Sequence, residues 1–355
     1  MEYSLDDLLR ITAQKGATDL HLCAGARPLI RISANLTQIE DAKVFSGEDV
    51  NVITRSLLTQ EQIDSMQHNR VIDFSFSRSG LGRFRGNAYS QRGTFALAIR
   101  ILPFEIPPFS KLHLPESAQN FVKQRRGLVL VTGTAGSGKS TTLASLIDHI
   151  NETSCSHIIT IEDPIEYLHR HKRSLLTQRE IGPDALTFAQ ALRSALREDP
   201  DVIMVGEMRD PETIAIALTA AETGHLVLST LHTMGAAKSI DRIIDAFPPA
   251  QQNQIKTQLA TVLEGIVSQQ LLPRIDMPGM IPACEIMLVN PAIRNLIREG
   301  KHYQINSVIQ TGHTQGMQLL ESSLAALVKD NIISMEDAVI RAGDPLLLHQ
   351  LLNRV

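Results

Sequence analysis

The stretch that decides the fold is Gly127-Leu-Val-Leu-Val-Thr-Gly-Thr-Ala-Gly-Ser-Gly-Lys-Ser-Thr141, which carries the pattern G-x-x-x-x-G-K-S. The apolar residues 128–131 are typical of a buried parallel strand, and apolar residues recur at helical spacing after the loop. A glycine-rich loop between a strand and a helix is the context in which backbone N–H groups bind phosphate. The sequence therefore predicts a nucleoside triphosphate site, with a glycine-rich turn that binds nothing as the alternative.

The residues of this loop have separate expected roles. Its glycines let the backbone turn tightly, and Lys139 is expected to reach the β- and γ-phosphates. The hydroxyl of Ser140 is the expected protein ligand of Mg²⁺, with Thr141 beside it. ATP and Mg²⁺ are thus the predicted ligands. The full set of predicted nucleotide-binding residues is Gly133, Thr134, Ala135, Gly136, Ser137, Gly138, Lys139, Ser140 and Thr141.

The composition bounds the class of protein. A chain of 355 residues with 43% hydrophobic residues can form two globular domains. The formal charge of −4 gives no basic bias, so no nucleic-acid partner is expected. No uninterrupted apolar stretch approaches membrane-spanning length, and the acidic start of the chain has no apolar signal core. We therefore expect a cytoplasmic protein that reaches the inner membrane only through partners.

The N-terminal part has the pattern of an α+β domain. Arg83 and Arg85 share one face of a predicted hairpin, and Arg100 lies on the next strand. The stretch Leu102-Pro-Phe-Glu-Ile-Pro-Pro-Phe109 breaks both periodicities, which predicts a boundary. The predicted elements are a helix at 5–13, a strand at 19–22, a hairpin at 72–76 and 83–89, and a strand at 95–101. The predicted domains are 1–102, a linker at 103–114, and 115–355.

Beyond the linker, apolar strands alternate with helices, which is typical of a parallel sheet with crossover helices. One helix is expected to begin with a capping box of Thr187 and Gln190 and to end at Asp199-Pro200. The next is expected to run from Asp210 to Gly224. From about residue 250 onward the pattern predicts helices. The predicted strands are 128–131, 157–161, 202–205 and 226–229.

Acidic residues follow two of these strands, where open parallel sheets bind their ligands. Glu162, Asp163 and Glu166 follow the second strand; they could hold Mg²⁺ through water, orient the attacking water, or cap the next helix. Glu207 ends the third strand, and Gly206 stands where many such enzymes carry an aspartate. We therefore expect Glu207 to take the proton of the water that attacks the γ-phosphorus.

Histidines and arginines complete the candidate set. His232 lies just past the fourth strand, at the predicted phosphate edge, whereas His225 starts that strand and could be purely structural. Arg83, Arg85 and Arg100 are candidates to neutralise charge on the transferring phosphoryl group, particularly if a neighbouring subunit brings them in. Solvated surface charges are the alternative.

Several motifs resemble the secretion ATPase superfamily and, within it, the type IV pilus retraction ATPases of the PilT family. The resemblance implies a PAS-like N-terminal domain, a RecA-like ATPase domain, and a hexameric ring with ATP between the two. Besides the phosphate loop, the motifs that carry it are Ala17-Thr-Asp-Leu-His-Leu22, Thr160-Ile-Glu-Asp-Pro-Ile-Glu166, Leu196-Arg-Glu-Asp-Pro-Asp201, Val205-Gly-Glu-Met-Arg-Asp210, Ala221-Glu-Thr-Gly-His-Leu226 and Ala292-Ile-Arg-Asn-Leu-Ile-Arg-Glu299.

The resemblance also implies roles for single residues. Glu166 matches the Asp-box glutamate, Glu207 the Walker B glutamate, and His225 and His232 the paired histidines of the His box. The family's arginines fall in the region of Arg83, Arg85 and Arg100, and its phosphate-loop lysine matches Lys139. Thr134 and Ala135 replace the family's usual Pro-Thr, but the glycines and the lysine are intact, so we expect nucleotide binding.

The function implied by the resemblance is a cytoplasmic hexameric Mg²⁺-ATPase that powers pilus retraction, and hence twitching motility, through an inner-membrane platform protein. An accessory retraction ATPase is a further candidate partner. The alternatives are an accessory ATPase that depends on a primary motor and a slowly hydrolysing regulatory ring. Arg294 and Arg298 are expected to be exposed on the helix at 292–299, which makes that helix a candidate coupling surface.

Overall fold

The computed structural model describes residues 3–32, 35–103 and 105–353. The chain divides into two compact units, Met1–Glu105 with Glu166–Leu168, and Ile106–Ile165 with His169–Val355. The division after Glu105 falls inside the predicted linker, of which Phe104 lies outside the described residues. Within the described ranges, no helix is both long enough and apolar enough to span a bilayer.

In its described residues, the first unit is an antiparallel sheet with three helices. The strand order is β3-β2-β1-β6-β5-β4. Each helix starts at a capping box, in which Ser4, Ser46 and Thr59 accept from the backbone N–H three residues on. The elements are α1 (Leu5–Gln14), β1 (Asp19–Cys23), β2 (Leu29–Ile32), β3 (Asn35–Gln38), α2 (Gly47–Leu57), α3 (Gln60–Asn69), β4 (Val71–Arg78), β5 (Gly82–Gln91) and β6 (Thr94–Ile101).

The second unit contains one large sheet and the remaining helices. Short 3₁₀ helices occur at Phe109–Lys111, Asn120–Lys123, His302–Gln304 and His313–Gln315. The other elements are α4 (Glu116–Gln119), β7 (Gly127–Thr132), α5 (Lys139–Thr153), β8 (His157–Glu162), β9 (Leu175–Glu180), α6 (Phe188–Ala195), β10 (Val202–Val205), α7 (Pro211–Glu222), β11 (Leu226–Leu231), α8 (Ala236–Asp245), α9 (Pro249–Val262), β12 (Leu263–Pro273), β13 (Met280–Leu288), α10 (Pro291–Glu299), α11 (Ile305–Thr311), α12 (Leu320–Lys329), α13 (Met335–Arg341) and α14 (Pro345–Asn353).

This sheet has the order β13-β12-β7-β11-β10-β8-β9, and all neighbours are parallel except β12 and β13. Every residue of β7, β10 and β11 is buried, because hydrophobic clusters cover both faces of the sheet. Full burial of one valine, leucine or isoleucine side chain contributes roughly 1.5–3 kcal/mol to the stability of the fold. The predicted mixed α/β class, with a phosphate-loop unit built on a parallel sheet, is confirmed.

Two local predictions are wrong, and one of the open alternatives is excluded. Residues beyond 262 are not all helical, because β12 and β13 form a long antiparallel hairpin. No helix begins among residues 163–174, so the acids after β8 cap none, and the chain continues into β9. Helix α6 ends at Ala195, before Asp199-Pro200, although Thr187 does accept from the backbone N–H of Gln190 as its N-cap.

Candidate active site

The phosphate loop joins β7 to α5 and is tight against β12. Gly133, Gly136 and Gly138 have φ of 145°, 74° and 88°, which only glycine adopts readily. A Cβ at Gly133 would lie 2.3 Å from the carbonyl oxygen of Gln269 and 2.5 Å from Ser137 Oγ. The loop therefore requires glycine at this position for its close approach to the neighbouring strand.

Lys139 is buried, and its ammonium group lies over the loop. Its Nζ donates to the carbonyl oxygens of Gly133 (2.8 Å) and Thr134 (2.9 Å). Ser137 Oγ is buried without a hydrogen-bond partner, whereas the tip of the loop and Ser140 are exposed. A cation, an exposed hydroxyl and the N-terminus of the 15-residue helix α5 together fit a phosphate group.

The same geometry bears on Mg²⁺. Among the described residues, no three His, Cys, Asp or Glu side chains come together as a metal site. Ser140 is nevertheless exposed at the first turn of α5, where its hydroxyl could bind a hard cation. These residues fit an ion that takes most of its ligands from phosphate oxygens and water.

The carboxyl ends of four adjacent parallel strands lie on the same side of the sheet as the loop. In register, Leu231 pairs with Thr132, Ser229 with Val205, and Val205 with Ile161. The residues that follow these positions therefore share one edge of the sheet. They are Gly133 after β7, Glu162 at the end of β8, Glu207 after β10 and His232 after β11.

Glu207 is held in place by its neighbours. Its side chain is only 11% exposed, and it pairs with Arg209 through one carboxylate oxygen. His232 Nε2 lies 3.4 Å from the other oxygen, Oε2, which has no hydrogen-bond donor. The hydroxyl of Thr230 donates to the carbonyl oxygen of Gly206 (2.6 Å) and so ties this strand end to β11. The sequence pattern placed Glu207 and His232 at this edge, but it did not single out Arg209.

The acids after β8 differ from one another. The carboxylate of Glu162 is buried and accepts from the Thr160 hydroxyl (2.6 Å) and from Gln178 Nε2 (3.1 Å). Asp163 is exposed, and Glu166 is half-buried and belongs to the first unit. Only Glu162 is thus fixed at the edge of the sheet by contacts within the second unit.

His225 lies at the opposite side of this sheet, before the amino end of β11. Its Nδ1 donates to the carbonyl oxygen of Ala220 (2.9 Å), and its own carbonyl oxygen accepts from the N–H of Gly127 (3.0 Å). Gly127 begins β7, whereas the phosphate loop follows the end of that strand. Within one chain, the structure does not bring His225 together with His232.

The three candidate arginines share one face of the first unit's sheet. Arg85 is directly opposite Arg100, and Arg83 Nη2 donates to Ser75 Oγ (2.7 Å). Arg100 Nε donates to Asp19 Oδ1 (2.8 Å). Burial acts to raise the pKa of Asp19, but hydrogen bonds from Thr18 and Arg100 outweigh it and hold the pKa below its usual value.

The sequence pattern did not single out four buried polar residues on the β12–β13 hairpin, Ser268, Gln269, Gln270 and Glu285. Gln269 Nε2 donates to the carbonyl oxygen of Ser137 (2.6 Å). Ser268 Oγ accepts from the N–H of Gly235 (2.8 Å), and Glu285 Oε1 accepts from the N–H of Ala236 (2.6 Å). The only signal in the sequence was the polar run at 268–270 inside an apolar stretch.

A cavity of about 200 Å³ adjoins the loop beside Gly138 and Thr141. Most of its wall is apolar. Its lining also includes Lys111, Leu112, His113, Leu114, Thr142, Gln269, Leu271, Met280 and Pro282. A compartment of this kind suits the base or sugar of a nucleotide whose phosphates occupy the loop.

A glycine-rich loop at the carboxyl edge of a parallel sheet, with a lysine at the helix start and acids after neighbouring strands, defines a phosphate-loop ATPase. The family model for Type II/IV secretion system proteins matches residues 109–342, and the chain belongs to this family.

Curated relatives match nearly the whole chain. The twitching motility protein of Neisseria gonorrhoeae is 47% identical over 96% of this chain and 91% of its own length. The type IV pilus retraction ATPase PilT of Pseudomonas aeruginosa is 46% identical over 96% of this chain and 98% of its own. A crystal structure of the pilus retraction motor PilT with bound ADP superposes with a TM-score of 0.93 at 46% identity, covering 98% of this chain and all of the other.

Proposed function

We propose that this chain is an ATP-hydrolysing motor that powers type IV pilus retraction. The proposal rests on two observations taken together. The phosphate loop is complete, and 98% of the chain is similar to the pilus retraction motor whose structure contains ADP. The phosphate-loop unit carries the proposed nucleotide site. The pilus is assigned as its target because the full-length relatives act in twitching motility and pilus retraction.

In the proposed bound state the triphosphate lies along the loop and the base enters the apolar cavity beside Gly138. Lys139 exchanges its contacts with the loop carbonyls for the β- and γ-phosphates. Mg²⁺, when bound, neutralises charge that develops between these phosphates. Ser140 and, through water, Glu162 and Asp163 are its proposed protein ligands.

Glu207 is the proposed general base. Arg209 occupies one of its carboxylate oxygens, whereas Oε2 is buried without a donor. Buried acceptors without a protein donor are commonly satisfied by an ordered water. A water held there by Glu207 and His232 would stand at the strand edge next to the loop, where it could attack the γ-phosphorus and lose its proton to Glu207.

The arginines of the first unit are proposed to act on the nucleotide within a homohexamer. Arg85 and Arg100 are directly opposite each other, so their positive charges could contact one anion together, although Asp19 already pairs with Arg100. Glu166 is proposed to act at the same nucleotide. His225 has the contacts of a structural residue, so its proposed role is to hold the end of α7 against the start of β7.

We propose the same partners for the hexamer as for the retraction motors that it resembles. The hexamer would dock on an inner-membrane platform protein and would convert hydrolysis into movement of that protein. An accessory retraction ATPase would act beside it. The location that follows from these partners is the cytoplasmic face of the inner membrane.

The test compares Glu207→Gln with Glu212→Gln, an exposed glutamate nearby whose side chain is 57% exposed. Hydrolysis by the purified protein should fall roughly 10²-fold or more in Glu207→Gln, because a positioned acid–base group is lost. ATP binding and hexamer formation should be retained. Cells that carry only Glu207→Gln should assemble pili without retracting them, while Glu212→Gln should behave like the wild type. Normal retraction with Glu207→Gln would refute the proposal.

A further inference from the structure

The side chain of Gln269 spans the phosphate loop and the helix that follows it. Its Nε2 donates to the carbonyl oxygen of Ser137 (2.6 Å), and its Oε1 accepts from the hydroxyl of Thr142 (3.0 Å). The residue is 2% exposed. Both polar atoms of this buried amide are therefore hydrogen-bonded, one to the loop and one to the start of α5.

Gln269 also limits the space at both ends of the loop. Its backbone oxygen lies 2.3 Å from where a Cβ of Gly133 would stand, and its Nε2 lies 3.0 Å from a Cβ of Gly138. The strand that carries it pairs in register with β7, so that Ser268 is opposite Thr132. The loop is thus held between its own strand and a residue of the neighbouring one.

The contact with Ser137 determines how one peptide unit is turned. In a planar trans peptide the carbonyl of one residue and the N–H of the next point in opposite directions. Because the Ser137 carbonyl points to Gln269, the N–H of Gly138 points away from β12. Backbone N–H groups at the start of a helix are the groups that bind phosphate in such loops.

We propose that Gln269 is a positioning residue of the phosphate loop, which holds the Ser137–Gly138 peptide unit in the orientation that binds the nucleotide phosphates. In this role Gln269 acts through its contacts with Ser137 and Thr142, and it also lines the cavity proposed for the base or sugar. The inference rests on the proposed nucleotide site and adds to it a residue outside the loop motif, on a strand that the motif does not include.

The matched control is Gln270, the next residue of β12, which faces the other side of the sheet. It is also buried, and its Nε2 donates to the carbonyl oxygen of Arg341 (3.3 Å) instead of the loop. Gln269→Leu and Gln270→Leu are therefore the same chemical change in the same strand. Each removes one buried amide, but only the first releases the loop.

Binding of Mg²⁺-ADP is measured by calorimetry for the wild type and both variants. Gln269→Leu should weaken binding about tenfold, the equivalent of one hydrogen bond lost from the loop. Gln270→Leu should bind Mg²⁺-ADP with an affinity within about twofold of the wild type, because it leaves the contacts of the phosphate loop unchanged. Equal affinities of the two variants would overturn the role of Gln269. A wild type that binds no ADP would instead overturn the proposed function.

Gln269→Glu provides a readout that a purely structural role would not move. At about pH 8 the carboxylate cannot donate to the Ser137 carbonyl and adds negative charge beside the phosphates, so binding should be weaker than in Gln269→Leu. Burial favours the protonated acid, which can donate again, so affinity should recover as the pH falls to about 6. Wild-type affinity should change much less over this range. A pH-independent deficit in Gln269→Glu would contradict the proposal.

Discussion

The sheet that carries the phosphate loop has two parts, and the sequence predicts one of them and not the other. Its central parallel strands β7, β10 and β11 are buried along their whole length, and their polar side chains, Thr132, Ser229 and Thr230, lie toward the carboxyl ends. The antiparallel hairpin of β12 and β13 is almost as deeply buried, yet it carries Ser268, Gln269, Gln270 and Glu285 in its interior. The parallel strands present the groups proposed to act on the phosphates, and the hairpin presents buried polar groups that hold their loops.

This difference separates two kinds of buried polar residue. On the hairpin, each polar side chain satisfies a backbone group of a loop or helix end, as Ser268 does for the N–H of Gly235. At the ends of the parallel strands, by contrast, Glu207 keeps a buried oxygen without a donor. A residue that supports the fold has its polar atoms hydrogen-bonded within the protein. A residue that binds a ligand or a water keeps an acceptor that no protein donor occupies. Substitutions in the two parts should accordingly affect stability and turnover differently.

The largest expected effect is that of Lys139→Ala, in the parallel part. Lys139 is the only charge proposed to contact the β- and γ-phosphates from inside the loop, and charge-assisted hydrogen bonds are worth roughly twice neutral ones. ATP binding should fall about 100-fold, with hydrolysis below detection. Lys123→Ala, an exposed lysine whose Nζ donates to Asn120, is the control and should bind ATP normally. Binding by Lys139→Ala within tenfold of the wild type would mean that the loop backbone alone holds the phosphates.

The central part of the sheet could be predicted because its signals are local. A buried parallel strand is a continuous apolar run, and the phosphate loop follows it directly in the sequence, so periodicity and motif agree. Glu207 and His232 could be placed at the edge because each follows such a run. Arg209 differs, since its pairing with Glu207 depends on the turn after β10 and not on any spacing in the sequence.

The hairpin could not be predicted from its pattern. Residues of β12 are buried on both faces, so they lack the alternation of a half-buried strand, and their glutamines weaken the apolar run. Their partners lie far along the chain: Gln269 contacts Ser137, and Ser268 contacts Gly235. Such contacts follow from the strand order, which a single sequence does not display.

A moderate effect is expected for the arginines of α10, the helix that follows β13. The sequence pattern predicts that Arg294 and Arg298 are both exposed. Arg298 is exposed, but the prediction for Arg294 is wrong. The guanidinium of Arg294 donates to the carbonyl oxygens of Ala260 and Thr261 (2.7 Å each), and it pairs with Glu264 at 3.0 Å. It thus caps the end of α9 at the point where the chain enters β12.

Arg294→Ala should therefore lower the free energy of unfolding by about 2 kcal/mol, because it removes charged hydrogen bonds to partly buried carbonyls. Arg298→Ala should change it by less than about 0.5 kcal/mol. Urea unfolding of both variants measures the difference. Equal stabilities would show that the cap contributes nothing. The coupling hypothesis for α10 now depends on Arg298, whose replacement should leave hydrolysis intact and impair retraction in cells.

The smallest expected effect is a pH-dependent one at Glu285, on β13. Burial raises the pKa of Glu285, and the negative charge of Glu321 raises it further, although the hydrogen bond from the Ala236 N–H opposes both. The folded state therefore holds this proton at pH values where the unfolded state has lost it. Its contribution to stability is fully present below the ordinary glutamate pKa and is lost as the pH rises through the raised value.

Glu285→Gln keeps an acceptor oxygen for the Ala236 N–H and removes the titration. Its stability relative to the wild type should accordingly increase with pH, by an amount on the order of 1 kcal/mol between acidic and mildly alkaline solution. Glu285→Ala, which also removes the acceptor, should be less stable than Glu285→Gln at every pH, because the N–H at the start of α8 is left unpaired. Thermal unfolding of the three proteins across pH distinguishes these cases. If the curves of the wild type and Glu285→Gln run parallel, the buried carboxyl group does not titrate differently on folding, and the hairpin holds the loop after β11 through geometry alone.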